Sequence, residues 1–204
     1  GALNFHITNL YICFDPWPSS TDYYIELFEK IKRDNIEINI NFENWQLPEK
    51  SFIDSFKRNL LPDSEIILSP DTGSDRVRKY NKGHYYSTDK LIETIDYMHS
   101  RRINTSVYFT AGLPGETMED VYETKTLITY LRKNYNSKIY IFQCETEPLS
   151  PMYLYPEKFG IKLKRKSFMD FYNHHNNRTV LGYSTDYFTE DQIIELIKML
   201  EKFA

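Results

Sequence analysis

Carboxylates, hydroxyls, amides and glycines gather in five short stretches: Asp15-Pro16-Trp17-Pro18, Glu43-Asn44-Trp45, Ser69-Pro70-Asp71-Thr72-Gly73-Ser74, Gly112-Leu113-Pro114-Gly115-Glu116, and Gln143 to Glu147. An acid suits a cation, and hydroxyls and amides suit a partner rich in hydrogen-bonding groups. Glycine lets another group come close to the backbone. Together these residues suit a cationic or hydroxyl-rich small molecule. They suit a polyphosphate poorly, because no GxxxxGKS or GxxxxGKT loop is present and little base stands nearby. A nucleophile elbow and a strand-end lysine pattern are missing too, which counts against a hydrolase or an aldolase-like enzyme.

Each stretch also has a plain structural reading. Gly112 and Gly115 can make a turn before a helix capped by Thr117, and Asp71-Thr72-Gly73 can be a turn with an N-cap. Asp15 before Pro16 can be an ordinary turn acid. Recurrence at successive strand ends favours a ligand, since independent turns need not all be polar there. His174 and His175 are adjacent, so on a helix they point apart, and no third ligand accompanies them. The basic run at 162–166, KLKRK, reads as a solvated face, with an RNA contact as the lesser reading.

These stretches must be positioned by strands. Short β-type runs occur at 9–14, 36–42, 64–69, 105–111 and 137–143. Helical patterns lie between them: Tyr24, Leu27, Phe28 and Ile31; then Phe52, Ile53, Phe56 and Leu60, opened by Pro48 and Glu49; then Leu91, Ile92, Ile95 and Met98; then Met118, Val121, Tyr122, Ile128 and Leu131. A short helix is expected after Gly73. A Pro-rich loop then leads to a less regular tail, closed by a helix with a Thr189–Gln192 capping box and the stripe Ile193, Leu196, Ile197, Leu200. Strand and helix alternation implies parallel strands with right-handed crossovers. In such folds ligands bind where the strands end and the βα loops gather, which is where the five stretches lie.

The 204 residues suffice for one domain with a sizeable core, and no linker or low-complexity segment divides them. The net charge of −4 gives no basic field to recruit nucleic acid or an anionic membrane. No apolar run could span a bilayer, and the start, GALNFHITNL, lacks signal-peptide regions. Two cysteines, Cys13 and Cys144, are too few for a disulfide framework or a four-cysteine zinc site, so reduced thiols in a cytoplasmic protein are expected.

The blocks ILSPDTGSDRVRKYNKG and AGLPGETMED resemble the radical S-adenosylmethionine enzymes, above all those with an N-terminal cobalamin-binding domain. There one strand ends in an acid-Ser/Thr-Gly-Ser block, here Asp71 to Ser74, and the next ends in Gly-hydrophobic-Pro-Gly-Glu-Thr, here Gly112 to Thr117. FDPWP, the LP after FENWQ, and PMYLYPEKFGI look more narrowly like the anaerobic magnesium-protoporphyrin IX monomethyl ester oxidative cyclases and their relatives. The fold implied is a partial TIM-type (β/α) barrel lacking its first βα unit. Residues 1–150 would form the barrel core and 151–204 an extension packed on it.

The family's chemistry starts at a CxxxCxxC motif whose three thiolates hold a four-iron four-sulfur cluster. This sequence has no such trio. The expectation is therefore the later part of a catalytic barrel, inactive alone and with no cofactor or metal bound. Its parent would use S-adenosylmethionine and the cluster, with or without cobalamin, on a bulky organic substrate. The resemblance puts Gly112, Leu113, Pro114, Gly115 and Glu116 beside the adenosine. It puts Ser69 and Asp71 near the ribose or methionine groups, counts Gly73 and Ser74 of the same block as cofactor-binding, and puts Asp15 at the methionine ammonium. Lys82 would meet the methionine carboxylate, and Gln143 and Glu145 the adenine. Partners would be the small-molecule substrate and the missing N-terminal part. A second copy is another expected partner, pairing through the open edge at residues 5–14, the alternative being that the chain's own terminus covers that edge. The competing reading is a stand-alone barrel-like small-molecule binding module without radical chemistry.

Overall fold

The aromatic-rich first third folds around a ring cluster. In the computed structural model, which describes residues 7–13, 21–82, 85–135, 137–175 and 181–204, helix α1 (Thr21–Arg33) turns Phe28 and Ile31 inward. Helix α2 (Lys50–Asn59) turns in Phe52, Ile53 and Phe56. Phe28 meets Phe42, Phe52 and Phe56 edge-on, with ring centroids 6.2, 5.3 and 5.5 Å away. Such pairs stabilise by about 1 kcal/mol each beyond the area they bury.

Phe42 belongs to β2 (Asn39–Asn44), whose burial alternates residue by residue. Ile40, Phe42 and Asn44 are buried on the helix side, while Asn39, Asn41 and Glu43 stand on the other face. Strands β1 (Asn9–Ile12), β3 (Glu65–Asp71), β4 (Asn104–Phe109) and β5 (Lys138–Ile141) complete a five-stranded parallel sheet in sequence order. No closed barrel forms among the described residues. Among the described residues β1 is an edge strand paired with β2 alone, and Leu10 and Tyr11 are exposed on it. The strands end at 12, 44, 71, 109 and 141, each within two residues of the expected 14, 42, 69, 111 and 143.

Helices α3 (Asp75–Asn81) and α4 (Thr88–Ser100) follow β3, and α5 (Met118–Asn134) follows β4. Tyr122, expected on the apolar face of α5, is exposed, while Thr124 and Asp120 are buried. The tail is more regular than its sequence suggests. It contains α6 (Pro151–Leu154), a 3-10 turn at Pro156–Phe159, β6 (Ile161–Leu163), α7 (Phe168–His175), β7 (Tyr183–Thr185) and α8 (Glu190–Glu201). β6 and β7 pair antiparallel; three residues each are too few to show a period of two in the sequence. The Thr189–Gln192 capping box is present at α8. The basic run is not wholly solvated. Arg165 is buried against Glu145, and Lys164 pairs with Glu190 at 2.5 Å. Among the described residues no helix is long and apolar enough to cross a membrane.

The chain divides into two compact units, the described residues within 1–70, 84–108 and 134–139, and those within 71–83, 109–133 and 140–204. The first holds the α1–α2 ring cluster. The second holds the two glycine-containing strand-end blocks together with α3, α5 and the tail.

Candidate functional site

β3 ends on a residue in an unusual conformation. Asp71 has φ 64°, in the left-handed region, which costs a non-glycine residue about 1–2 kcal/mol. Its carbonyl accepts from the Thr110 amide at 2.8 Å, tying the ends of β3 and β4 together. Its carboxylate meets Lys82 Nζ at 2.9 Å, with the two side chains 25% and 13% exposed. Lys82 is delivered by α3, which stops at Asn81. Two of the sequence-assigned residues thus form one shielded ion pair.

The rest of that block turns inward. The Gly73 amide donates to Thr124 Oγ1 at 2.8 Å, and the Ser74 amide to Thr72 Oγ1 at 3.1 Å. Ser74 Oγ donates to Asp120 Oδ1 at 2.6 Å. A Cβ on Gly73 would lie 2.5 Å from Thr124 Cα, so this glycine is needed for the close approach of α5. Asp120 also takes the Thr117 amide and hydroxyl at 2.8 and 2.7 Å, and pairs with Arg76. Four donors hold its carboxyl at about 2, against the desolvation that opposes them.

The loop Gly112–Glu116 is clamped by its surroundings. The Gly112 and Leu113 amides donate to Glu116 Oε2 at 2.6 and 3.2 Å. The carbonyls of Gly112, Pro114 and Gly115 accept from Tyr183, Asn81 and Arg76 at 3.1, 3.0 and 2.8 Å. Gly112 and Gly115 have φ 81° and 72°, and a Cβ on Gly112 would meet Ile193 of α8 at 2.5 Å. Both glycines are therefore required by the turn, and Gly112 by packing as well. Glu116 is fully buried and presents no carboxylate outward.

Burial raises the Glu116 carboxyl to about 7, opposed by the two amides and helped by the charge of Asp120. A carboxyl raised in the folded state contributes stability that is full below its unfolded value and lost as pH rises through 7. Glu116→Gln should flatten that slope. Urea unfolding at pH 5 and pH 8 should show a wild-type loss on the order of 1–3 kcal/mol that the variant lacks. Equal slopes in both proteins would show that Glu116 titrates normally.

Beyond β5, Gln143 and Glu145 are exposed, and Glu145 accepts from Arg165 at 3.2 Å. Between them Cys144 is pushed up to about 12 by burial and then by Asp71, Glu145, Glu147 and Glu116. Ser69, in the other unit, donates to Glu43 Oε1 at 2.9 Å. Asp15 lies outside the described residues. Sequence reasoning missed Asp120, Thr124, Arg76 and Tyr183 as members of this network. The Thr117-x-x-Asp120 spacing is a capping signature that could have found Asp120.

A shielded Asp–Lys pair and a clamped glycine loop after consecutive parallel strands define a parallel α/β protein with its polar side at the strand ends. The family model of the radical SAM superfamily matches residues 6–128. The chain belongs to that superfamily. No curated protein matches the chain. Among solved structures it is similar to TsrM from Kitasatospora setae, a radical S-adenosylmethionine methyltransferase seen with cobalamin and a four-iron four-sulfur cluster bound. The TM-score is 0.61 at 14% identity, over 81% of this chain and 35% of that one. That likeness concerns the fold, and this chain spans about a third of TsrM's length. Streptococcus suis SuiB bound to S-adenosylmethionine aligns at 17% identity over 83% of this chain and 44% of its own, with a TM-score of 0.36, too low to bear on the fold.

The residues present do not fit an iron–sulfur cluster. Cys13 is exposed just past β1, and Cys144 holds its proton at neutral pH, where a ligand must be a thiolate. No cluster of three or more His, Cys, Asp or Glu among the described residues is set to hold a metal.

Proposed function

We propose that this chain is catalytic-barrel material of a radical enzyme, and that it receives S-adenosylmethionine at the Asp71–Lys82 pair and along the Gly112–Gly115 loop. The observation that carries this reading is the pair itself, at 2.9 Å. A carboxylate and an ammonium side by side mirror the ammonium and carboxylate of an amino acid, so Asp71 suits the methionine ammonium and Lys82 its carboxylate. Leu113 and Pro114 suit the apolar face of a nucleoside. The loop's main-chain groups are already bonded, so its contribution there is shape. The whole enzyme would act on a bulky organic substrate by oxidative cyclisation or methyl transfer, with or without cobalamin. The resemblance of FDPWP and PMYLYPEKFGI to the oxidative cyclases supports the first outcome, and the fold shared with TsrM supports the second.

Titration of S-adenosylmethionine into the chain, followed by amide chemical shifts, tests the site. Binding should be weak, since these residues enclose only part of a ligand of that size. The shifts should centre on 71–82 and 112–115. Asp71→Asn and Lys82→Met should each weaken the response about ten-fold or more. Shifts elsewhere, or shifts that neither variant changes, would remove Asp71 and Lys82 from the reading.

A further inference from the structure

In the first unit, the sheet face opposite α1 and α2 is polar. Tyr11 on β1 is level with Asn41 on β2, and Asn41 with Glu65 on β3. Asn9 is level with Asn39, and Glu43 with Ile67. Because Phe42 enters the ring cluster, its neighbours Asn41 and Glu43 face away from it.

On this face the Glu43 carboxylate is fixed between two hydroxyls. Tyr11 donates to Oε2 and Ser69 to Oε1, both at 2.9 Å. Partial burial of the half-exposed Tyr11 side chain, the Glu43 bond and charge, and Tyr108 raise the phenol above its ordinary value, so it remains a donor. Glu65, on the same face, has a counter-charge in Lys138 at 3.3 Å and a bond from Ser106 at 2.7 Å. Glu43 enters none of the ion pairs among the described residues. Each carboxylate oxygen of Glu43 accepts one hydroxyl and keeps room for another donor. A carboxylate oriented by neutral donors and without a counter-charge among the described residues complements a nitrogen cation.

We propose that Glu43, oriented by Tyr11 and Ser69, binds an ammonium or guanidinium group of the substrate. This rests on the reading above only in calling that ligand the substrate. It narrows the bulky organic molecule to one that carries a cationic nitrogen. Tyr11 and Ser69 act through Glu43 and are positioning residues.

The test titrates the chain with n-butylammonium, with n-butanol, and with S-adenosylmethionine, following Glu43 carboxyl and Tyr11 ring resonances. Butylammonium should shift both saturably, at about ten-fold lower concentration than it shifts the exposed Glu37. Glu43→Gln should abolish the response, and Tyr11→Phe should weaken it while leaving the fold unchanged by circular dichroism. Butanol should do nothing there. No saturable shift at Glu43, or an equal one from butanol, overturns the proposal. So does S-adenosylmethionine taking Glu43 in competition with butylammonium, since the cation would then be the cofactor's. Absence of S-adenosylmethionine shifts at 71–82 and 112–115, with the butylammonium response intact, would defeat the cofactor site and leave the amine site standing.

Discussion

Gly73→Ala should cost the chain about 3 kcal/mol of stability, at the upper end of what overpacking does. The new methyl would lie 2.5 Å from Thr124 Cα and 2.7 Å from the carbonyl carbon and oxygen of Glu123. All three are main-chain atoms in the middle of α5, so no rotamer change relieves the contact. Relief requires α5 to move as a body, and α5 is anchored by Val121, Leu127, Ile128 and Leu131 in the core. Displacing it also lengthens the Gly73 amide bond to Thr124 and the Ser74 bond to Asp120. Gly112→Ala is a useful contrast. Its steric contact is with the side chain of Ile193, which can repack, and its strain comes mainly from φ 81°. Equilibrium urea unfolding monitored by tryptophan fluorescence and circular dichroism measures both. A Gly73→Ala loss under about 1 kcal/mol, with S-adenosylmethionine shifts abolished, would mean that this glycine serves a ligand and not α5.

The alternation of strands and helices was legible because each strand is a compact apolar or alternating run and each helix keeps an apolar stripe. Ile40 and Phe42 on β2, and Phe52, Ile53 and Phe56 on α2, behave as their periods require. The strand-end blocks were legible as places but not as contacts. In the acid-Thr-Gly-Ser block, one residue, Asp71, is committed to a partly open ion pair, while Thr72, Gly73 and Ser74 bond to α5. Sequence spacing cannot separate a glycine that admits a ligand from one that admits a helix, since both need the missing Cβ. Glu116 shows a related limit. Its place in a loop does not tell that two main-chain amides bind its carboxylate inside the fold. Glu43 sits in one of the five stretches, but its significance depends on Tyr11 and Ser69, 32 and 26 residues away in sequence. Pairing across parallel strands sets those distances, and no local pattern encodes them.

Asp120→Ala should destabilise the chain by about 3 kcal/mol near neutral pH, because one carboxylate satisfies the Ser74 hydroxyl, the Thr117 amide and hydroxyl, and Arg76. Arg76 is largely exposed and can turn to water, so the cost falls on the buried Ser74 and on Thr117. The effect must depend on pH. The Asp120 carboxyl is held at about 2 against an ordinary 3.8. A depressed carboxyl contributes stability that is present above its unfolded value and lost as pH falls through its folded one, here about 2 kcal/mol between roughly pH 4 and pH 2. The difference between wild type and variant should therefore shrink as acid is added, and unfolding midpoints at pH 7, 4 and 2 would show it. Asp120 also raises Glu116 by like charge, so in the variant the Glu116 step should move to lower pH. Because Asp120 joins the start of α3 to the exit of the Gly112–Glu116 loop, and α3 delivers Lys82 to Asp71, its loss should speed hydrogen exchange at 72–82 and 112–117 together. A variant whose deficit stays constant from pH 7 to pH 2, or whose exchange rises at one segment alone, would show that Asp120 is a local cap and not the tie between the two loops.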